Sequence, residues 1–408
     1  MRPITAVRAR ILSTVRRLPS ETVPFYEASG RILAEPVVAP HDVPSFANSA
    51  MDGFAVRADD VSTPGADLEI LEDLAAGQVA AAVVGDGQAI KIMTGAPMPG
   101  GADTVVRIEL TEEKDGRVRI ATAAEPGTSV RRPGSDVAAG ATVFEAGTRL
   151  TAPHVGVLAT LGVVEPVVSR RPRVAVMSTG DELVPPETVD LQPGLIRDSN
   201  RPMLLTLVEE AGAEAVDMGR IPDDVDSMRA ALGQAAAEAD AIVTSGGVSM
   251  GEFDVTKLVL RDEADVDFFP VAMKPGKPQG FGTVGGTPFF GLPGNPVSVL
   301  VSFEQFVRPA LLTMQGARAV LRPRVLGVAD HELSSDPAKE EFIRVSFVDD
   351  GPPPRVRQIG GSGSHVLSGA ANADAFAVLP VDVDTVSEGG PVIVELFRAL
   401  ETRVADDV

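Results

Sequence analysis

The chain has 408 residues and a formal net charge of −21, with 57 acidic against 36 basic residues; 44% of it is hydrophobic. That size allows about two to four domains, and 40 Gly and 33 Pro mark a folded, loop-rich protein rather than a disordered one. No cysteine is present, which excludes disulfides, thiolate catalysis and Cys-ligated metal, and the acidic balance argues against nonspecific nucleic-acid or anionic-membrane binding.

At the amino terminus Ile4, Val7, Ile11, Leu12, Val15 and Leu18 recur at helical spacing with Arg8, Arg10, Arg16 and Arg17 between them. This is expected to be a helix packed on another element rather than on a membrane surface. The segment has no continuous apolar signal core, and a cytoplasmic location is expected. From Pro36 to about Val130 short β-type runs at Leu68–Ile70, Ala89–Ile92, Thr104–Ile108 and Arg117–Ile120 alternate with Gly and Pro turns. From about Arg173 to Leu312 strands and helices alternate: a strand at Arg173–Met177, helices at Met203–Ala211 and Val225–Glu238, and a strand at Ala241–Val243. Thr287–Leu292 then leads into a helix over Val297–Val307. Such alternation predicts a mainly parallel sheet with helices on both faces and ligands at the carboxyl ends of its strands. Short strands return after Arg322 at Val325–Val328, Phe342–Val345 and Val392–Val394. The fold class is α/β multidomain. The expected units are residues 1–38 with 136–168, a β-rich insertion 39–135, an α/β unit 169–318 and a carboxy-terminal β unit 319–408.

The chemistry concentrates in a few stretches. Thr244-Ser245-Gly246-Gly247-Val248-Ser249-Met250-Gly251-Glu252-Phe253-Asp254 follows the Ala241 strand. Its glycines permit positive φ, successive free amides suit an oxyanion, and Glu252 and Asp254 sit where a hard dication would bridge protein and phosphate. Lys274-Pro275-Gly276-Lys277-Pro278 and Gly291-Leu292-Pro293-Gly294-Asn295-Pro296 add proline-locked loops, two of whose residues are lysines, and a helix start. Asp52, Asp103 and Asp136 each stand beside Gly-rich turns, where a carboxylate is more often an Asx-turn or capping group; Asp103 is read as structural.

Taken together, SAMDGFAV, IMTGAP, RRPGSD, STGDEL, TSGGVSMGEFD, MKPGKP and GLPGNPVS make the chain resemble the molybdopterin molybdenumtransferases, the MoeA proteins, whose eukaryotic relative is the carboxy-terminal domain of gephyrin. The resemblance spans essentially the whole chain. It implies a homodimer of elongated four-domain subunits: a helical and extended amino-terminal domain, the β-rich insertion, a three-layer α/β/α domain and a carboxy-terminal β domain. The cleft would lie between the α/β domain of one subunit and the insertion of the other. It implies that adenylylated molybdopterin and molybdate bind, and that molybdenum cofactor and AMP leave with help from Mg²⁺. Carried onto this sequence, Asp52, Asp136, Asp223 and Lys274 take catalytic roles. Thr94, Ser245, Gly246, Gly247, Lys277, Pro293, Pro296, Arg344 and Ser364 contact substrate or nucleotide, and Glu182, Glu252 and Asp254 hold the metal.

One departure is Pro270, where enzyme-type members commonly carry a basic residue; proline supplies neither charge nor donor. The alternative reading is a gephyrin-like scaffold that binds a short peptide of a membrane-receptor or cytoskeletal partner in a groove between the α/β and carboxy-terminal domains. As an exposed loop residue, Lys274 is expected to matter more for molybdate than for folding.

Overall fold

The computed structural model describes residues 1–247, 259, 260, 264–349, 351–361 and 363–397. Glu252 and Asp254 lie outside them.

The central element is a six-stranded sheet in the order Glu214–Ile221, Arg173–Thr179, Ala241–Ser245, Thr287–Leu292, Pro278–Val284, Asp265–Pro270. The first four strands are parallel. Side chains alternate across it: Val174, Val176, Ala241 and Val243 join one core, whereas Ala175, Met177 and Ile242 join another on the opposite face. Burial on both faces explains why these strands read as unbroken apolar runs. The sheet is mainly parallel, as expected, with Asp265–Pro270 and Pro278–Val284 added at one edge as an antiparallel hairpin. Gly280 and Gly282 hid this hairpin, since glycine inside a strand reads as loop. At Gly282 the glycine is a packing requirement: an added Cβ would lie 1.9 Å from the Asp265 carbonyl oxygen.

Helices Asn200–Glu210 and Val225–Glu238 follow the sequence pattern, and the second is capped by Asp224, whose side chain accepts from the Ser227 amide. The helix from Pro296 runs on through a π turn at Phe303–Val307 to Met314, one to two turns beyond expectation. This 19-residue helix is long and apolar enough to cross a membrane, but 89% of its apolar window is buried inside the fold. The amino-terminal helix Ile4–Thr14 packs against it. Ile4, Val7 and Ile11 are buried in the same core, and Arg8 Nε donates to the Gln305 carbonyl at 3.1 Å.

Two further six-stranded sheets flank this unit. The inserted sheet runs Thr104–Arg107, Gly53–Val56, Gln88–Ile92, Asp67–Leu74, Arg117–Ile120, Thr111–Lys114, with apolar residues on both faces. In the carboxy-terminal sheet Glu340–Phe347, Arg355–Gln358, Arg324–Ala329, Pro391–Leu396 and Ala375–Leu379 pair in a closed ring. A two-residue strand, Met273–Lys274, leaves the α/β unit and joins that ring in parallel, with Lys274 opposite Glu341. The lysine loop is thereby stitched to the barrel.

Candidate functional site

The carboxyl ends of the parallel strands carry the Gly-rich turns, as their apolar bodies require. Gly246 and Gly247 adopt φ of +92° and +71°. A Cβ on Gly246 would lie 2.6 Å from the Thr179 carbonyl oxygen, so the turn packs directly on the neighbouring strand end. From that strand end Thr179 Oγ1 donates to Asp223 at 2.5 Å, and the Asp181 amide donates to the other Asp223 oxygen at 3.3 Å. Asp224, one residue on, is the helix cap, which leaves Asp223 for this contact. The Glu182 carboxylate folds over Gly180, where an added Cβ would lie 2.5 Å from Oε2.

Sequence reasoning missed Asn200, which fastens two of the loops together. Its Nδ2 donates to Ser245 Oγ at 2.8 Å and to the Gly294 carbonyl at 2.6 Å. In the sequence Asp198-Ser199-Asn200 looks like any helix start, and nothing local signals the reach to residues 245 and 294. Asp198 is missed for the same reason: it is 4% exposed and takes Ser178 Oγ at 2.6 Å beneath the strand end. The chain of contacts continues through Asn295, whose Nδ2 donates to Ser364 Oγ at 2.8 Å, while the Val297 amide donates to the Ser364 carbonyl at 3.0 Å. Pro293 is buried in this loop and Pro296 opens the long helix.

Ser364 and Val297 line a cleft of about 460 Å³ between the α/β unit and the barrel, together with Lys274, Glu341 and Arg344. Lys274 Nζ lies 2.9 Å from Glu341 Oε1; the lysine is partly exposed and the glutamate side chain only 7% exposed. Arg344 is buried. Its guanidinium donates to the carbonyls of Gly361, Gly363 and Val366, bracing the loop that presents Ser364. Burial lowers its pKa. Lys277 is exposed on the same loop as Lys274. Pro270 ends the hairpin strand opposite Pro278, and its carbonyl accepts from the Arg2 amide at 2.9 Å. The segment 265–279 therefore offers Lys274 and Lys277 as its cations.

Asp52 and Thr94, which lie in separate motifs, meet beside the inserted sheet: Asp52 Oδ1 accepts from the Thr94 amide and hydroxyl, both at 2.7 Å. These bonds hold the Asp52 carboxyl below its ordinary range, the backbone bond contributing most. The sign follows: the contact contributes above the unfolded-state pKa and is lost as pH falls through the folded one. Thr94→Val removes the hydroxyl donor, and the Asp52 pKa should rise toward its ordinary value in a carboxyl NMR titration. An unchanged titration would remove the hydroxyl from that role. Asp136 is exposed in the turn after Arg131-Arg132. The lining of the Lys274 cleft includes none of Asp52, Thr94 or Asp136. Asp103 is structural, as its turn suggested: Oδ1 accepts from the Ala58 amide at 2.8 Å at the start of a short 3₁₀ helix.

Among the described residues no three His, Asp or Glu side chains converge as a metal cage. Glu182 is an exposed hard-oxygen donor beside the glycine turn. Its chemistry fits a cation that takes one or two carboxylates and completes its shell with phosphate and water.

Residues 2–162 match the family model described as MoeA N-terminal region (domain I and II), residues 175–313 the probable molybdopterin binding domain, and residues 327–397 the MoeA C-terminal region (domain IV). Molybdopterin molybdenumtransferase 2 of Mycobacterium tuberculosis is 42% identical over 399 residues, covering 95% of this chain and 98% of its own. The chain belongs to the MoeA family. Molybdopterin molybdenumtransferase of Haemophilus influenzae is 38% identical and covers 93% of this chain and 95% of its own. The crystal structure of a molybdopterin biosynthesis moeA protein from Pyrococcus horikoshii superposes with a TM-score of 0.87 at 30% identity, covering 97% of this MoeA chain and 100% of that chain. These relatives carry the transferase or biosynthesis name over their whole length, and the gephyrin-like scaffold reading is not favoured for this MoeA protein.

Proposed function

We propose that this chain is a molybdopterin molybdenumtransferase of molybdenum cofactor biosynthesis, taking adenylylated molybdopterin and molybdate to molybdenum cofactor and AMP. One observation carries the site assignment. Successive hydrogen bonds of Asn200 and Asn295 link the Ser245–Gly247 turn and the Gly294–Asn295 loop to Ser364, and of these Ser364 lines the cleft that holds Lys274. Multiply charged substrates need donors that converge in one place, and more so in a chain of net charge −21. Backbone amides at Gly246 and Gly247 suit the phosphates, and Lys274 with Lys277 suits molybdate. Asp223, fixed by Thr179, is placed to take part at the strand end.

Mg²⁺ is proposed as the cofactor, held by Glu182 together with Glu252 and Asp254 outside the described residues; it would neutralise phosphate charge. A homodimer is part of this reading, since Asp52 and Thr94 stand beside the inserted sheet and Asp136 in an exposed turn, all outside the lining of the cleft, and a partner's insertion would bring such groups to it. The location proposed is cytoplasmic, and no nucleic acid is involved.

The test is AMP release from adenylylated molybdopterin with molybdate and Mg²⁺. Lys274→Ala should lower kcat/KM about a hundredfold, the scale of losing one oxyanion donor. The substitution also strips the buried Glu341 of its cation, so it should cost about 1 kcal/mol or more in stability. That exceeds the near-zero cost expected for an exposed loop lysine. Wild-type chain that releases no AMP under these conditions would overturn the reading.

A further inference from the structure

Glu341 is an odd residue to find in an oxyanion site. A carboxylate repels the proposed ligand, and Glu332 and Asp336 in the same lining already make that wall acidic. Yet Glu341 is buried, and both its oxygens are committed: Oε1 to Lys274 Nζ at 2.9 Å and Oε2 to the Asp336 amide at 3.2 Å. The second bond anchors the start of the Asp336–Lys339 turn. Ser335, just before that turn, also lines the cleft, and its Oγ is buried with no hydrogen-bond partner among the described residues. A buried hydroxyl without a partner is costly, and on a residue that lines a ligand cleft a ligand can supply the partner.

We propose that Glu341 is a positioning residue of the oxyanion site, one oxygen aiming the Lys274 ammonium and the other aiming the turn that presents Ser335 Oγ as an additional donor to the same tetrahedral oxyanion. A lysine ammonium has three N–H donors. One bond to Glu341 fixes its direction and leaves two for the ligand. The parallel register, with Lys274 opposite Glu341, places both side chains on one face of the joint between the α/β unit and the barrel. The two donors would therefore reach the ligand from different units but hang on one carboxylate. This inference rests on the proposed oxyanion role of Lys274.

Sign separates positioning from mere charge. If Glu341 were only a repulsive bystander, removing its charge would tighten oxyanion binding or leave it unchanged. As a positioning group its loss weakens binding despite the charge removed. Tungstate and molybdate binding to the full chain by isothermal titration reads this directly, with thermal unfolding recorded for each variant. Glu341→Ala is expected to weaken binding about tenfold, the scale of a charge-assisted hydrogen bond to the ligand. Glu341→Gln, which keeps the shape but can accept from only one of the two donors, should fall between, and Glu341→Asp should recover part of the loss. Ser335→Ala should weaken binding about threefold or more without the charge change. In the Lys274→Ala background, Glu341→Ala should add less than its single-variant effect, because a buttress has little left to hold. Binding unchanged or tightened in folded Glu341→Gln, with Lys274→Ala still weakened, would overturn the positioning role alone. Binding unchanged in Lys274→Ala as well would overturn the oxyanion reading of the cleft and this inference with it.

Discussion

Arg344→Lys should unfold the carboxy-terminal side of the cleft at a markedly lower temperature and weaken oxyanion binding in the same variant. The guanidinium donates to three carbonyls from a site only 4% exposed. Lysine has a single nitrogen on a flexible stem and cannot span the carbonyls of Gly361, Gly363 and Val366 together. At least one carbonyl is left unpaired and a cation stays buried with fewer partners, at a cost of about 2–4 kcal/mol. Because Ser364 lies within the braced loop and accepts from Asn295, the disorder should reach the wall that faces Lys274. Unfolding of this multidomain chain need not be two-state, so hydrogen exchange over residues 361–367 is the sharper measurement. Protection equal to wild type there would show that the arginine does not brace the loop.

Gly246→Ala is expected to be nearly as damaging, through the backbone. The residue sits at φ +92°, which costs a non-glycine residue about 1–2 kcal/mol before any contact is considered. Its new Cβ would also meet the Thr179 carbonyl at 2.6 Å, and neither partner is a side chain that can swing aside. The turn must then separate from the strand end that holds Asp223, raising the total to about 2–4 kcal/mol. Nucleotide affinity should fall along with stability. Gly286→Ala supplies the comparison: its φ is +90° but no heavy atom lies within 4 Å of the added Cβ, so it reads strain without collision. If both variants melted alike and both bound AMP like wild type, the close approach would carry no functional weight.

Much of this molecule is legible in its sequence. The strand at Ala241, the helix over Val225–Glu238 and the short runs of the insertion are local patterns, set by burial on one face or two. The motifs Asp52-Gly53, Thr94-Gly95 and Gly246-Gly247 were picked out by residue type, and Thr94 proved to be the partner of Asp52. The Pro278–Val284 strand was not legible, because its glycines answer to a neighbouring carbonyl rather than to any periodicity. In sequence Arg344 is only a cation, and packing alone reveals that loop carbonyls claim its donors.

By itself the sequence determined which stretches form strands, helices and glycine turns, and which residue types could handle a charged substrate, because those properties depend on near neighbours and side-chain chemistry. The tertiary structure alone decided that Asn200 joins two loops, that Arg344 faces inward, and that Glu341 divides its carboxylate between Lys274 and the Ser335 turn. Each of these is a contact between residues far apart in the chain, set by how strands pair and units abut, and no local pattern encodes that geometry.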